Sequence, residues 1–418
     1  MKHVGYPDWM NTAYIPPRTI ERLLGSPLCP YVKRYVTLRQ EEGYTRDYTR
    51  DHVVLFSHLN AWMRRTRRTL SDLNERTMER FFSRCWRQAP WCGGRPALDC
   101  LLAMLREDGA APLGATKPVT PFEPLLEDFR QHLSRVRGCV PRTGIKYSYY
   151  LTPFLVDRFG SGPADLSQLS SAAAIEWVQR MARERSRGHT QKAVTALRSF
   201  LRFLLFRGSI TSDLAIAVPN VASWRMTALP RPLAANAVKQ VLDGCSRLTT
   251  NGRRNYAILL LLARLGLRAG EIIAMELEDI DWENARLTVR SRKGQGWQRM
   301  PLPADVGRAI AGYLRSRPAC ACRHVFVRSK APHRPLRTSS AISFVAAQAI
   351  HAAGVVSART GAHLFRHSLA ASMLRGGASL DEIGQVLRHS NRDTTASYAK
   401  VDLGSLRPLA LLWPGGAR

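Results

Sequence analysis

The chain has 418 residues, 45% of them apolar and 22% charged, an ordinary globular balance that excludes disorder throughout and leaves room for roughly two to four domains. Lysine and arginine number 62 against 32 acidic residues, a formal charge of +30 that recurs in every segment and favours a polyanionic partner, nucleic acid by default. The opening residues MKHVGYPDWMNTAYIPPR hold no apolar leader core. The longest apolar stretch, Tyr256–Ala263, stops at Arg264, short of the ~20 residues of a membrane span, so no membrane partner is expected.

Proline- and glycine-rich stretches at 110–121 and 219–232 cannot be element interiors, and they divide the chain into 1–115, 119–218 and 231–418. The first piece reads as a helix around Tyr31–Val36, a turn at Gly43, a longer amphipathic helix over Val53–Trp62, a turn at Leu70–Leu73, and further helix over Leu98–Leu105 before Gly109. The second runs through Leu125–Leu133, Gly138, Tyr147–Phe159, a turn at Ala164–Leu166, Ile175–Met181 and Val194–Phe206 before Gly208. Each reads as a four-helix unit, and the two look like weak copies. Two unrelated bundles would give a similar pattern by chance.

Basic residues cluster on both units. Arg64, Arg65, Arg67 and Arg68 follow the second helix of the first. In the second, Arg185, Arg187 and Lys192 lead to Arg198 and Arg202, which share one helix face opposite Leu197, Phe200, Leu201 and Leu204. Such a helix can pack on a bundle and present charge to phosphates, though a charge run is also what any solvated face carries.

The third piece changes character. Asn255–Leu265 reads as a buried helix and Glu271–Met275 as another after Gly266. Arg286–Arg290 alternates as a strand, Arg292–Gly296 turns, and Trp297–Leu302 returns, a hairpin with Lys293 at its tip. Helical patterns follow over Asp305–Leu314, Ser340–Ala352, His363–Gly376, Leu380–Leu387 and Arg392–Ala399. The expected fold class is mainly α with a small antiparallel sheet in the C-terminal domain (α+β). Eight scattered cysteines suit a reducing cytoplasm, and the Cys320–Cys322–His324 spacing matches no common zinc pattern, so no metal is expected.

Within this piece, Arg268, His363 and Arg366 stand inside apolar segments, where polar groups are costly unless used. Lys293, His389 and Tyr398 complete a series in which each residue alone reads as an ordinary packed or capping side chain. Together they carry a resemblance. Gly266-Leu-Arg-Ala-Gly-Glu271 resembles the first arginine box of the tyrosine recombinases, the phage-integrase family. Arg292-Lys-Gly294 with Arg299–Leu302 resembles its hairpin lysine box, and His363-Leu-Phe-Arg366 its H-x-x-R box. Leu387-Arg-His-Ser390, then Thr394–Tyr398, resembles its closing histidine and tyrosine. The resemblance covers 231–418 as catalytic domain and 119–218 as the helical (SAM-like) core-binding domain. Residues 1–115 exceed the two-domain plan and resemble the extra N-terminal regions of larger recombinases and mobile-element transposases. Three positions depart from the pattern: Arg292 and Arg388 stand where glycine is usual, and Phe365 where leucine is commoner.

The resemblance implies DNA cleavage and rejoining through a 3′-phosphotyrosyl intermediate. Arg268 and Arg366 would hold the non-bridging oxygens with charge-assisted hydrogen bonds, and Tyr398 would be the nucleophile. Lys293 would give a proton to the departing 5′ oxygen, His363 would assist at Tyr398, and His389 would hydrogen-bond the phosphate. No metal, ATP or other cofactor is implied. The partners implied are double-stranded DNA and a homo-tetramer on paired sites, or a complex with sister recombinases, in a bacterial cytoplasm at the nucleoid. The apolar tail Leu403–Trp413 would dock into a neighbour or onto its own domain. Arg292 joins the candidate DNA contacts. The rival readings are a type IB topoisomerase and an accessory DNA-binding subunit without catalysis of its own.

Overall fold

The computed structural model describes residues 15–88, 94–114, 120–160, 162, 164–222, 232–290, 296–389 and 394–395. Side-chain caps such as Thr45, Ser170, Thr249 and Ser379 start several helices, prolines in the first turn start others, and glycines end some of them. In the first bundle these are α1 (Pro17–Leu23), α2 (Cys29–Glu41), α3 (Arg46–Arg65), α4 (Glu75–Gln88) and α5 (Arg95–Glu107). Thr45 caps α3 by accepting the Tyr48 N–H, with Asp47 in the first turn and Arg64 and Arg65 in the last, as the helix dipole favours. The chain leaves α2 through Gly43 at φ +79°. Leu55, Phe56, Leu59 and Met63 of α3 are buried with Val32 and Tyr35 of α2 and Leu101 and Leu105 of α5.

The second bundle comprises α6 (Glu123–Arg135), α7 (Pro141–Phe159), α8 (Ser171–Glu184) and α9 (Arg187–Phe206) around Phe129, Phe154, Trp177 and Phe200. Its order parallels the first from α2 onward. A 13-residue helix precedes a left-handed glycine (Gly43 or Gly138) and a helix of 20 or 19 residues. A short 3₁₀ turn (Leu70–Asp72 or Leu166–Gln168) and a 14-residue helix come next, and then a last helix. Helix α1 has no counterpart among the described residues of the second bundle, so the first holds five helices where the sequence suggested four.

The third piece contains α10 (Ala235–Asp243), α11 (Thr250–Arg264), α12 (Ala269–Ala274), β1 (Ile280–Asp281), β2 (Arg286–Arg290) and β3 (Trp297–Pro301). Helices α13 (Ala304–Leu314), α14 (Ser339–Ala352), α15 (Ala362–Arg375) and α16 (Leu380–Leu387) follow. Helix α11 buries Ala257–Leu262 without interruption, the signature of a helix covered on every side. The antiparallel sheet runs β1-β2-β3, with Leu287 opposite Met300 and Thr288 opposite Arg299. Leu287 and Val289 point into the core while Arg286 and Arg290 are exposed. Strand β1 was not legible in the sequence because two residues carry no period.

The chain divides into two compact units, 115–227 and a second made of 1–114 with 228–418. Inside the latter, Glu42 at the end of α2 pairs with Arg334, and its carbonyl accepts the His333 N–H at 3.3 Å.

Candidate active site

The turn between α11 and α12 begins at Gly266, with φ +56°, where a Cβ would lie 2.7 Å from Leu387. The left-handed φ and the crowding by the Leu387 and Leu369 side chains both favour glycine there. The following Leu267 is buried, and Arg268 stands extended at the N-cap of α12 with 40% of its side chain exposed. Glu271, three residues on, closes a capping box: one carboxylate oxygen accepts the Arg268 N–H at 2.8 Å and the other its guanidinium at 2.8 Å.

Arg366 comes from α15 and is 4% exposed. Its guanidinium donates to the carbonyl of Gly266 and to that of Leu387, tying α15 to the turn before Arg268 and to the end of α16. One turn earlier on α15, His363 is exposed. His389 follows α16, with Nδ1 2.7 Å from the Thr395 hydroxyl. If that hydroxyl donates, Nε2 carries the proton and is a donor.

The electrostatics show that these groups share one field. Burial pushes His389 down to about 4, with the positive charges of Arg366 and Arg268 acting in the same direction. Although its side chain reaches solvent, desolvation of the ring by its neighbours lowers His363, and the same two arginines act in that direction. His367, which the sequence reading passed over, is also pushed to about 4, by burial, then His363 and Arg366. The imidazoles are therefore neutral at pH 7 while the cations around them remain charged.

Arg388 occupies the left-handed region, φ 54° and ψ 51°, as the glycine usual at that position would. Its side chain turns inward to Glu271 at 2.9 Å, and both side chains are at most 9% exposed. Burial raises the Glu271 carboxyl, but Arg388 and the hydrogen bonds from Arg268 outweigh it and hold it below the usual carboxylate range. Sequence reasoning placed Glu271 in the first box without a role. A glutamate three residues after a helix N-cap is the signal that could have assigned one.

Lys293, Arg292 and Tyr398 lie outside the described residues, as does the tail Leu403–Trp413. Of the candidate DNA contacts, Arg64, Arg65 and Arg67 are exposed, whereas Arg68 stacks over Trp62 with its guanidinium carbon 5.2 Å from the ring. Arg185, Lys192 and Arg202 are exposed. Arg187 and Arg198 are engaged elsewhere: Arg187 donates to the Ala222 carbonyl at 2.6 Å, and Arg198 to Asn220 at 2.7 Å. Both hold the segment after the second bundle. Among the described residues, no cluster of three His, Cys, Asp or Glu could hold a metal, and no helix is long and apolar enough to cross a membrane.

Residues 231–403 match the model of the phage integrase family. The chain is 41% identical to y4rA of Sinorhizobium fredii, named as an integrase/recombinase, over 94% of this chain and 96% of that one. It is 28% identical to the tyrosine recombinase XerA of Thermococcus onnurineus, over 68% of this chain and 93% of that one. Among solved structures, it is similar in fold to the XerH site-specific recombinase bound to its palindromic difH substrate. That match has a TM-score of 0.54 and 17% identity, over 65% of this chain and 79% of that one.

Proposed function

The chain belongs to the tyrosine recombinase family, the phage integrases, and on that footing we propose that it is a mobile-element transposase working through a 3′-phosphotyrosyl intermediate. The coarser activity, site-specific DNA strand transfer, follows from the family. One observation supports the phosphotyrosyl chemistry: Arg268, Arg366, His363 and His389, from three separate stretches of the chain, gather around the Gly266 turn and the end of α16, while the transposase role rests on the resemblance of residues 1–115 to the extra N-terminal regions of mobile-element enzymes.

A phosphodiester placed there meets two arginines that stay charged at any working pH. In-line attack concentrates negative charge on the phosphoryl oxygens, and prepositioned donors stabilise that charge without reorganising. Arg268 is the accessible donor. Arg366 donates to two carbonyls and is thereby held rigid. An arriving anion offsets the cations that depress His363 and His389, so both histidines protonate more readily with DNA bound. That suits them to proton movement at Tyr398 and to hydrogen bonding at the phosphate. Lys293 is the proposed proton donor to the leaving 5′ oxygen. The arginines supply the charge stabilisation that a metal provides in other phosphoryl-transfer enzymes.

The piece 231–418 is read as the catalytic domain, 119–218 as a core-binding domain and 1–115 as a further DNA-binding unit, acting as a tetramer on paired sites. The test is covalent trapping. The full chain is incubated with nicked duplexes of randomised core, and SDS-resistant adducts are recovered and sequenced. Wild type should yield a convergent site and Tyr398→Phe no adduct, with EDTA without effect. An adduct surviving Tyr398→Phe, or abolished by EDTA and restored by magnesium, defeats the reading. Relaxation of supercoiled plasmid lacking the recovered site would favour a type IB topoisomerase.

A further inference from the structure

The usual glycine at position 388 is replaced by an arginine, and the structure shows where its charge goes. The backbone takes the left-handed conformation that a glycine adopts without strain. The guanidinium folds back under the turn, donating to the Val386 carbonyl at 3.2 Å and lying 3.5 Å from the Met300 sulfur of β3. Its strongest contact is Glu271, at 2.9 Å. The Arg388 carbonyl in turn accepts from Arg268 at 2.9 Å. The contacts form a closed ring: Arg268 to Glu271, Glu271 to Arg388, and the Arg388 carbonyl back to Arg268.

We propose that Arg388 is a positioning residue that keeps Arg268 electrostatically available to a DNA phosphate, a role that rests on the functional reading above. The argument is one of charge. Glu271 is a buried carboxylate, 8% exposed, that contacts Arg268 through both oxygens. Alone, it would offset much of the charge of the guanidinium meant for the phosphate, since the carboxylate side of the pair is buried even though Arg268 itself is partly exposed. Arg388 contributes a second positive charge on the buried side of the same carboxylate, so the trio carries a net positive charge. The exposed member, Arg268, presents that charge outward while its orientation is held from two sides. A glycine could supply the turn and the carbonyl but not the charge.

This separates the role from a purely structural one. Arg388→Gly keeps the backbone and carbonyl and relieves the left-handed residue; Arg388→Met keeps most of the volume. Both leave Glu271 paired with Arg268 alone. Cleavage of the duplex recovered by trapping should fall ~10-fold or more in both variants, because Arg268 stabilises the reacting phosphoryl group less well. Duplex Kd should be nearly unchanged, because one phosphate contact is a small share of those that hold a whole duplex. Adding Glu271→Gln to Arg388→Met removes the surplus negative charge and should recover most of the rate. Arg388→Lys, which keeps the charge, should retain more activity than Arg388→Met and serves if the uncharged variants fold poorly.

Binding of inorganic phosphate, followed by ³¹P line broadening, reads the same ring without DNA and should weaken and recover in the same pattern. Wild-type cleavage in Arg388→Gly, or no recovery in the double variant, overturns the proposal. If wild type traps no duplex at all, the functional reading fails, and the phosphate measurement alone decides: equal affinity in wild type and Arg388→Met overturns the charge argument as well.

Discussion

Replacing Arg366 by methionine removes a guanidinium that is 4% exposed and donates to two backbone carbonyls, those of Gly266 and Leu387. Methionine fills much of the same space, so the main loss is the two donors. A buried acceptor left without its partner costs about 1–3 kcal/mol, and two give about 2–6 kcal/mol. Releasing the cation's own desolvation penalty offsets part of this, leaving about 2–3 kcal/mol of destabilisation. Arg268 behaves differently: it is 40% exposed, so Arg268→Met should cost about 1 kcal/mol or less. Both variants should lose cleavage by ~10²–10³. The pair therefore share a catalytic phenotype and differ in stability. Hydrogen exchange on the full-length chain resolves this locally, with Arg366→Met accelerating exchange at 265–268 and 383–389 and Arg268→Met leaving the 383–389 amides nearly unchanged. Wild-type protection at both segments in Arg366→Met would refute the claim that the guanidinium staples them together.

Acidification should destabilise the first bundle through His52, which lies 2.5 Å from the Tyr35 hydroxyl and is pushed down to about 4 by burial and then by Arg39. The unfolded chain takes up a proton near pH 6.5 that the native site refuses. This contribution is thus fully present above about pH 6.5, is lost as pH falls toward 4, and amounts to about 3 kcal/mol at most. Melting curves of wild type and His52→Phe between pH 7 and 4 check it, with a shallower fall in the variant. Deleting 1–115 should shorten the DNA footprint and flatten the salt dependence together, by about 0.9 in slope for each phosphate no longer neutralised. Footprinting across a salt series reads both, and an unchanged footprint removes DNA binding from that bundle. Arg202→Ala should weaken duplex binding and reduce the salt slope, whereas Arg198→Ala should chiefly loosen the segment at 218–220, seen as faster exchange there.

Helix positions, the hairpin and the order of the reacting residues were determined by the sequence itself, because they depend on spacing within one turn or one strand pair. Thr45 before α3, Gly43 and Gly138 after their helices, and the alternation of Arg286–Arg290 are local signals with local causes. Where a charged side chain ends is not local. Arg187 and Arg198 lie on a helix that reads as a phosphate-facing surface, yet they bind chain 35 and 22 residues away, because carbonyls and an amide left by an irregular segment need donors. Arg388 could have faced solvent. It turns inward because Glu271, 117 residues earlier, is buried beside it and needs a second cation. The burial of Arg366 has the same origin, in two turns that expose carbonyls only after α11, α15 and α16 have packed. Local pattern therefore picked out the candidate residues, and the packed interior decided which of them stay accessible, as Arg268 does, and which are tied into the surrounding turns, as Arg366 and Arg388 are.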